Sequence, residues 1–363
     1  MCYCPAQMEE ITVNLHNHSV ISDGTGNYYE IAQAGLNAKI DVLIITDHNV
    51  VVRGKDSYYY REGNKLLLLI GEEINDPIGV PGNHLIILNS SREYASAASD
   101  PQTVIDSVNK ERGITILAHP FENAKKQLHM KSFPWSDWNV HDFSGLEIYN
   151  FMSQFKCGVT NFFSLPNHYL RPINFQMGAD ENTLAKWDEL LCMGYRVSGF
   201  AGSDSHRFQK KIGPKTFKIF DYELTCRALN NHVYIPKPLV GDVEEDKKVI
   251  YAALRNGCFF VGADMITSTA GKSSILTLLR QGELEQALDM LPDSGGVITH
   301  LKSRYHNLEK EKNKGLISQE NYQLAWSTIS NSLLEILEKR DFLHQPFLNK
   351  IGMYEEGYEK ATI

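Results

Sequence analysis

Imidazoles and carboxylates follow five separate apolar runs in this chain. The run 13–15 leads into His16-Asn17-His18 and then Ser22-Asp23-Gly24, and the run 42–45 into Thr46-Asp47-His48-Asn49. Residues 66–70 lead into Gly71-Glu72-Glu73, residues 114–117 into Ala118-His119-Pro120, and the run through Phe200 into Gly202-Ser203-Asp204-Ser205-His206. Nitrogen and oxygen donors in one set suit a divalent transition metal such as Mn, Fe or Zn, whereas calcium takes oxygen alone. One histidine beside one strand is more often a hydrogen-bonded core or surface group than a ligand. Five strand ends carrying such residues together outweigh that reading. His84, at the start of an apolar run, is evenly balanced between ligand and structural group; His129, His141, His168, His232, His300, His306 and His344, in polar contexts, read as ordinary histidines.

Residues so dispersed meet only if the runs are strands whose carboxyl ends share a rim. Strands are expected at 11–15, 41–46, 66–74, 84–88, 114–117, 145–148 and 196–202, with helices at 28–38, 103–112 and 183–193 among them. Apolar strands alternating with helices indicate a parallel sheet buried on both faces, as a barrel or a doubly wound sheet. His16 and His18, two apart on a strand, point the same way.

From Ser273 the strand-like runs stop. Apolar residues recur at helical spacing over 275–291, 298–308 and 322–337, with Gly295-Gly296 and Gly315 between them, which predicts a three-helix module. Residues 341–363 form a weakly patterned tail. Ala270-Gly271-Lys272-Ser273 looks like a phosphate-binding loop but has Ile266 where the first glycine belongs. Trp135 and Trp138 could stack bases, although a loop aromatic cluster over the core is commoner.

The 363 residues, 42% of them hydrophobic, supply a sizeable core, and six scattered cysteines form no disulfide framework. With 36 basic against 44 acidic residues, nothing points to a broad nucleic-acid-coating surface, which leaves room for a local basic rim. No segment has the apolar length of a membrane span or the pattern of a signal peptide, so a cytoplasmic protein is expected.

Across residues 11–263 these motifs resemble the PHP (polymerase and histidinol phosphatase) superfamily of metal-dependent phosphoesterases. The resemblance implies a distorted (β/α)7 barrel and three divalent ions held by His16, His18, Asp23, His48, Glu73, His84, His119, Asp204 and His206. Glu72 is the rival of Glu73, and the Gly-x-Glu pattern selects Glu73. Clustered ions of this kind lower the pKa of bound water towards ~7 and provide hydroxide to attack phosphorus. Asp47 and Glu147 are candidates for orienting the ligating imidazoles, and Arg171, Arg207, Lys210 and Lys211 for meeting substrate phosphate. Residues 273–340 resemble the effector-associated domain of type eleven, through 278–288, Ser303-Arg304-Tyr305 and 316–322. That likeness implies an adaptor that recruits a protein partner in a bacterial defence or signalling system.

The expected organisation is therefore a PHP-like domain at 1–268, the helical module at 273–340 and the tail. The expected activity is hydrolysis of a phosphate mono- or diester, on a nucleotide or a single-stranded nucleic-acid end, with no membrane partner. A metal-binding adaptor without turnover is the alternative. An amidohydrolase, which also uses a His-x-His strand, fits less well because Glu73 stands where a bridging lysine belongs.

Overall fold

The computed structural model describes residues 8–80, 82–123, 131–158, 179–212, 215–264, 284, 297–314, 316–319, 321–322, 325–326 and 328–329. The chain divides into two units, one ending at Gly262 and one beginning at Ala263.

The first unit is a mixed α/β fold. Its larger sheet has the order β13 (Phe259–Gly262), β12 (Asn230–Ile235), β1 (Glu9–Asn17), β2 (Val42–Ile45), β4 (Asn64–Ile70), β3 (Ser57–Arg61). A second sheet has the order β5 (Glu72–Ile74), β6 (Leu85–Leu88), β7 (Ile114–Leu117), β8 (Gly145–Asn150), β9 (Ser198–Gly202). A ribbon of β10 (Phe208–Ile212) and β11 (Lys215–Ile219) stands apart. The helices are α1 (Tyr28–Ala38), α2 (Pro101–Lys110), α3 (Phe151–Gly158), α4 (Glu181–Cys192), α5 (Tyr222–Ala228) and α6 (Val243–Arg255).

Pairing is mixed, which corrects the expectation of a parallel sheet. β1–β2, β2–β4, β7–β8 and β8–β9 are parallel, but β1–β12, β12–β13, β3–β4, β5–β6 and β6–β7 are antiparallel. The apolar runs are continuous because each strand serves two layers. Leu67 and Leu69 join Val13, Leu15, Val42 and Ile44 in a core shared with Ile86, Leu88, Ile114 and Ile116 of the second sheet. Their neighbours Leu66 and Leu68 face the other way and pack with Leu43, Ile45, Ile31 and Tyr222 under α1 and α5. Full burial of each such side chain contributes about 1.5–3 kcal/mol.

The expected single strand 66–74 is two. Gly71 interrupts it where the chain passes from pairing with β2 to pairing with β6, and a Cβ there would lie 2.7 Å from the Ile87 carbonyl oxygen. Only glycine lets the backbones come so close. Neither sheet closes on itself, but hydrogen bonds link them. Ser203 donates to the Leu15 carbonyl (2.8 Å) and His18 to that of Ser205 (2.9 Å), while Gly71 donates to Ile45 (2.7 Å) and Asn49 to Glu73 (3.0 Å). The Asn231 amide adds a further tie, accepting from Ala201 N–H and donating to Ala201 C=O, both at 2.9 Å.

The helices begin where their caps dictate. Asn27 and Glu30 form a capping box on α1, and Asp100 accepts from Thr103 N–H ahead of Pro101 on α2. In the second unit, α7 (Val297–Asn313) is the middle one of the three expected helices, with Leu308 buried and Tyr322 bonded to Glu309. Of the expected helix over 275–291 only Leu284 is described, helical and buried, and the tail lies outside the described residues. Among those described, no helix is long and apolar enough to cross a membrane.

Candidate metal centre

The carboxyl ends of β1, β2, β7 and β9, with the starts of β5 and β6, bring all nine expected side chains together. Four overlapping groups have ligand-type atoms within 4.8 Å of one another: His18, Asp23, His48 and His206; His16, His18 and Asp204; His16, Glu73 and His119; and His48, Glu73 and His84. Glu73 is the hub. Its Oε2 lies 3.1 Å from His16 Nε2, 3.2 Å from His18 Nε2 and 3.2 Å from His48 Nδ1; its Oε1 lies 2.9 Å from His84 Nδ1 and 3.3 Å from His119 Nε2. Asp204 Oδ1 sits 3.5 Å from both His16 and His18 Nε2, and Asp23 Oδ1 3.1 Å from His206 Nε2.

Local backbone irregularities aim these groups. Between Asn14 and Asn17 the β1–β2 register slips, and His16 takes φ 69°, so a bulge rather than simple alternation turns His16 towards Glu73. His119 (φ 28°) and Asp204 (φ 50°) are also left-handed. Such non-glycine conformations cost about 1–3 kcal/mol each and concentrate at functional sites. Alternation does separate Glu73 from its neighbour: Glu72 points away, accepts from Tyr94 N–H (2.9 Å), and burial pushes its carboxyl up to about 7.

The electrostatics favour positive charge. Burial works against the charged form of His18, yet the nearby carboxylates of Asp204 and Glu73 outweigh it and hold the ring up at about 9. His119 is likewise held at about 9 against burial, chiefly by Glu73, whereas burial dominates at His48 and lowers it to about 4. Asp204 and Glu73 resist burial and stay well below the carboxylate range because imidazoles surround them.

The donor chemistry fits divalent metals. His16 Nε2, both nitrogens of His18, His48 Nδ1, His84 Nε2, His119 Nδ1 and Glu73 Oε2 are buried without a hydrogen bond. Several lie near a carboxylate yet lack hydrogen-bond geometry, the pattern of lone pairs converging on a shared acceptor of electrons.

The supporting residues divide by what they touch. Glu147 is buried between two motifs: Oε1 is 2.7 Å from His16 Nδ1, and Oε2 accepts from His119 N–H (2.8 Å) and Asn150 Nδ2 (2.8 Å). Among the described residues Asp47 hydrogen-bonds no imidazole. It grips the loop carrying Asp23, accepting from Ser19 N–H (2.7 Å), Ser19 Oγ (2.6 Å) and Ser22 Oγ (2.7 Å). Arg207 is 5% exposed, and its guanidinium donates to Thr25 C=O (2.7 Å) and Glu30 (3.0 Å) over the Tyr222 ring. Lys210 and Lys211 fall on β10, and Arg171 lies outside the described residues. Trp135 is core, bonded to Asp137 C=O, and Trp138 stacks on Phe121. His141 pairs with Asp142 and His232 with Glu10, away from the centre.

Two supports escaped the sequence reading. Tyr222 Oη donates to His18 C=O (2.6 Å) and accepts from Gly26 N–H (3.1 Å), and Asn150 Nδ2 reaches Asp204 Oδ2 at 3.4 Å. Asn150, the last residue of β8, carried the strand-end signal; Tyr222 carried none, because it comes from α5.

Residues 271–341 match Effector-associated domain 11, the type resembled by the helical stretches. No curated protein sequence matches the chain. Similar solved structures include a two-domain protein containing a predicted PHP-like metal-dependent phosphoesterase from Bacteroides vulgatus, at 15% identity and TM-score 0.39, over 70% of this chain and 65% of that one. Another is assigned as a metal-dependent phosphoesterase from Bifidobacterium adolescentis, at 14% identity and TM-score 0.33, over 58% and 92%. A third is Endonuclease Q in complex with a duplex bearing an abasic lesion, at 9% identity and TM-score 0.35, over 68% and 57%. The chain thus spans less than two thirds of the first and third of these proteins.

Proposed function

We propose that this chain is a metal-dependent phosphoesterase that hydrolyses a phosphate mono- or diester, on a nucleotide or a nucleic-acid end. The observation that carries this reading is the convergence of nine imidazoles and carboxylates, several with buried, unpartnered lone pairs, on one rim. His16, His18, Asp23, His48, Glu73, His84, His119, Asp204 and His206 hold the ions, three of Mn, Fe or Zn. Bound there, such ions lower the pKa of water, polarise phosphoryl oxygens and neutralise charge on the leaving group.

The protein's own contribution is to hold donors in place before substrate arrives. Glu147 accepts a hydrogen bond from His16 Nδ1–H, which leaves the Nε2 lone pair facing Glu73 and Asp204. Its other oxygen fixes the backbone of His119, so one carboxylate sets the spacing of two donors. Asp47 and Arg207 clamp opposite ends of the loop bearing Asp23. No serine or cysteine nucleophile is required.

In this reading residues 1–268 form the catalytic domain, built as a distorted (β/α)7 barrel opened at its seams, and 273–340 form an adaptor followed by the tail 341–363. The match to Effector-associated domain 11 supports recruitment to a partner in bacterial defence or signalling, and the protein acts in the cytoplasm. Metal analysis of the purified full chain, followed by assays on mononucleotides, single-stranded DNA and RNA with and without chelator, tests it. Chelator-sensitive release of phosphate or of shortened strands is expected. A metal-replete protein inert on all three would leave only the adaptor reading.

A further inference from the structure

A phosphate ester brings negative charge to a rim that already holds Asp23, Glu73 and Asp204, so a fixed cation beside the metals is needed to grip it. Arg207 is engaged with Glu30, Thr25 and Tyr222. The last turn of α3 offers a different group. Lys156 Nζ lies 2.6 Å from Glu122 Oε1, and Glu122 is anchored to the centre, with its N–H bonded to the His119 carbonyl at 2.9 Å. A second route leads to the same place: Asp204 contacts Asn150 (3.4 Å), Asn150 Oδ1 accepts from Ser153 N–H (2.7 Å), and Ser153 Oγ donates to Glu122 Oε1 (3.0 Å).

Three features distinguish this ammonium from an ordinary surface lysine. Its side chain is 18% exposed, against a completely buried Glu122 carboxylate. Burial disfavours its charge, but Glu122 and Asp204 outweigh that and raise its affinity for the proton, with Glu73 adding to the effect, so the cation lies within electrostatic reach of two metal-ligand candidates. Among the described residues Glu122 is its one hydrogen-bond partner, and an ammonium has three donors. Glu122 does not rely on it, since Ser153 Oγ and Phe133 N–H (2.9 Å) also donate to that carboxylate. Glu122 and Cys157, the residue after Lys156, help to line a neighbouring cavity of about 470 Å³ with Phe121, Ser132, Pro134 and Asp180.

We propose that Lys156, held by Glu122, grips a non-bridging oxygen of the substrate phosphate at the metal centre. The assignment rests on the phosphoesterase reading and names its phosphate-binding cation. A lysine acts here as a compact point charge, so it suits a terminal or internal phosphate alike and leaves discrimination to the neighbouring cavity.

The test uses the metal-loaded full chain and inorganic phosphate. Lys156→Gln keeps a donor towards Glu122 but removes the charge; Lys156→Arg keeps the charge. Calorimetric titration should show phosphate binding weakened roughly tenfold or more in K156Q and by less than about threefold in K156R, with metal per chain unchanged in both. kcat/KM for p-nitrophenyl phosphate should follow the same order. Wild-type phosphate affinity and turnover in K156Q would overturn the proposal. Should K156Q fail to fold, the wild type decides: phosphate must slow modification of Lys156 by an amine-reactive reagent, read by peptide mass spectrometry, and unchanged modification sinks the assignment. Failure of the phosphoesterase reading looks different, because the wild type itself would then hydrolyse nothing while the binding comparison could still be made.

Discussion

Two clusters of buried polar side chains grow from the same strand, and they satisfy themselves in opposite ways. Along β1, His16 and His18 point into the centre, where buried ring nitrogens and Glu73 Oε2 lack hydrogen bonds. Two residues before His16, Asn14 belongs to a network that is almost saturated. Its Nδ2 donates to Ser203 Oγ (2.8 Å), Asn230 Oδ1 (2.8 Å) and Leu229 C=O (3.1 Å), and its Oδ1 accepts from Asn17 Nδ2 (2.9 Å). Thr225 and Asn231 extend the pattern to Ser205 and Ala201, and Asn17 Oδ1 is the exception. Burying a polar group without a partner is costly. Saturation therefore reads as construction in the Asn14 network, and the orphaned imidazole nitrogens crowded round Glu73 read as donors available to a ligand.

The sharpest way to break the contrast is to remove the orphaned donors. His16→Ala with His18→Ala takes a ligand from three of the four groups and should abolish metal uptake and lower turnover by about 10³-fold or more. Metal content by mass spectrometry and activity should fall together; full metal and full activity in the double variant would refute the centre. Glu147→Gln is a milder cut, because an amide preserves shape while losing the charge that fixes the His16 ring and one of its two acceptors. Partners of ligating histidines typically contribute 10–100-fold in metal affinity. Competition with a chromophoric chelator should report a loss of that size, and wild-type affinity would make Glu147 a strand-end cap and nothing more.

The saturated cluster should respond in stability alone. Asn14→Ala strips the donor from three acceptors and the acceptor from Asn17. About 1–3 kcal/mol of folding free energy should be lost, roughly 2–4 °C in Tm for each kcal/mol, with metal per chain unaltered. Loss of metal without loss of stability would erase the distinction between the two clusters.

Much of the centre was legible because the candidate ligands follow apolar runs, and a strand's end is easy to place even when its pairing is not. What stayed hidden depends on tertiary contact. The left-handed backbone of His16 answers to a bulge against β2, and nothing in His-Asn-His announces it. Residues 66–74 read as one strand because both halves are apolar; the break at Gly71 reflects two different neighbours. β12 carries Asn230, Asn231 and His232, which dilute the strand pattern, and the Asn231 side chain bonds the Ala201 backbone of the other sheet. Antiparallel partners such as β3 and β13 are half-exposed and short, so their apolar signal is thin.

Arg207 lies between the two clusters in character and gives the smallest effect. It follows His206 at φ 48°, and its guanidinium reaches Thr25 and Glu30 at once while stacking 5.1 Å from the Tyr222 ring centroid. Thr25 N–H in turn bonds to the His206 carbonyl at 3.0 Å, so the arginine braces the segment through which Asp23 and His206 stay paired. Arg207→Lys keeps the charge but not the planar fork, and lysine cannot serve Thr25, Glu30 and the ring together. A loss of about 1 kcal/mol, roughly fivefold, is expected in metal affinity. It should be confined to the group of His18, Asp23, His48 and His206. Stepwise titration with Mn or Zn would resolve one weakened site beside unchanged ones. Uniform weakening of every site would show that Arg207 supports the whole sheet junction, and a large loss of phosphate binding with intact metal affinity would return it to the role of substrate contact.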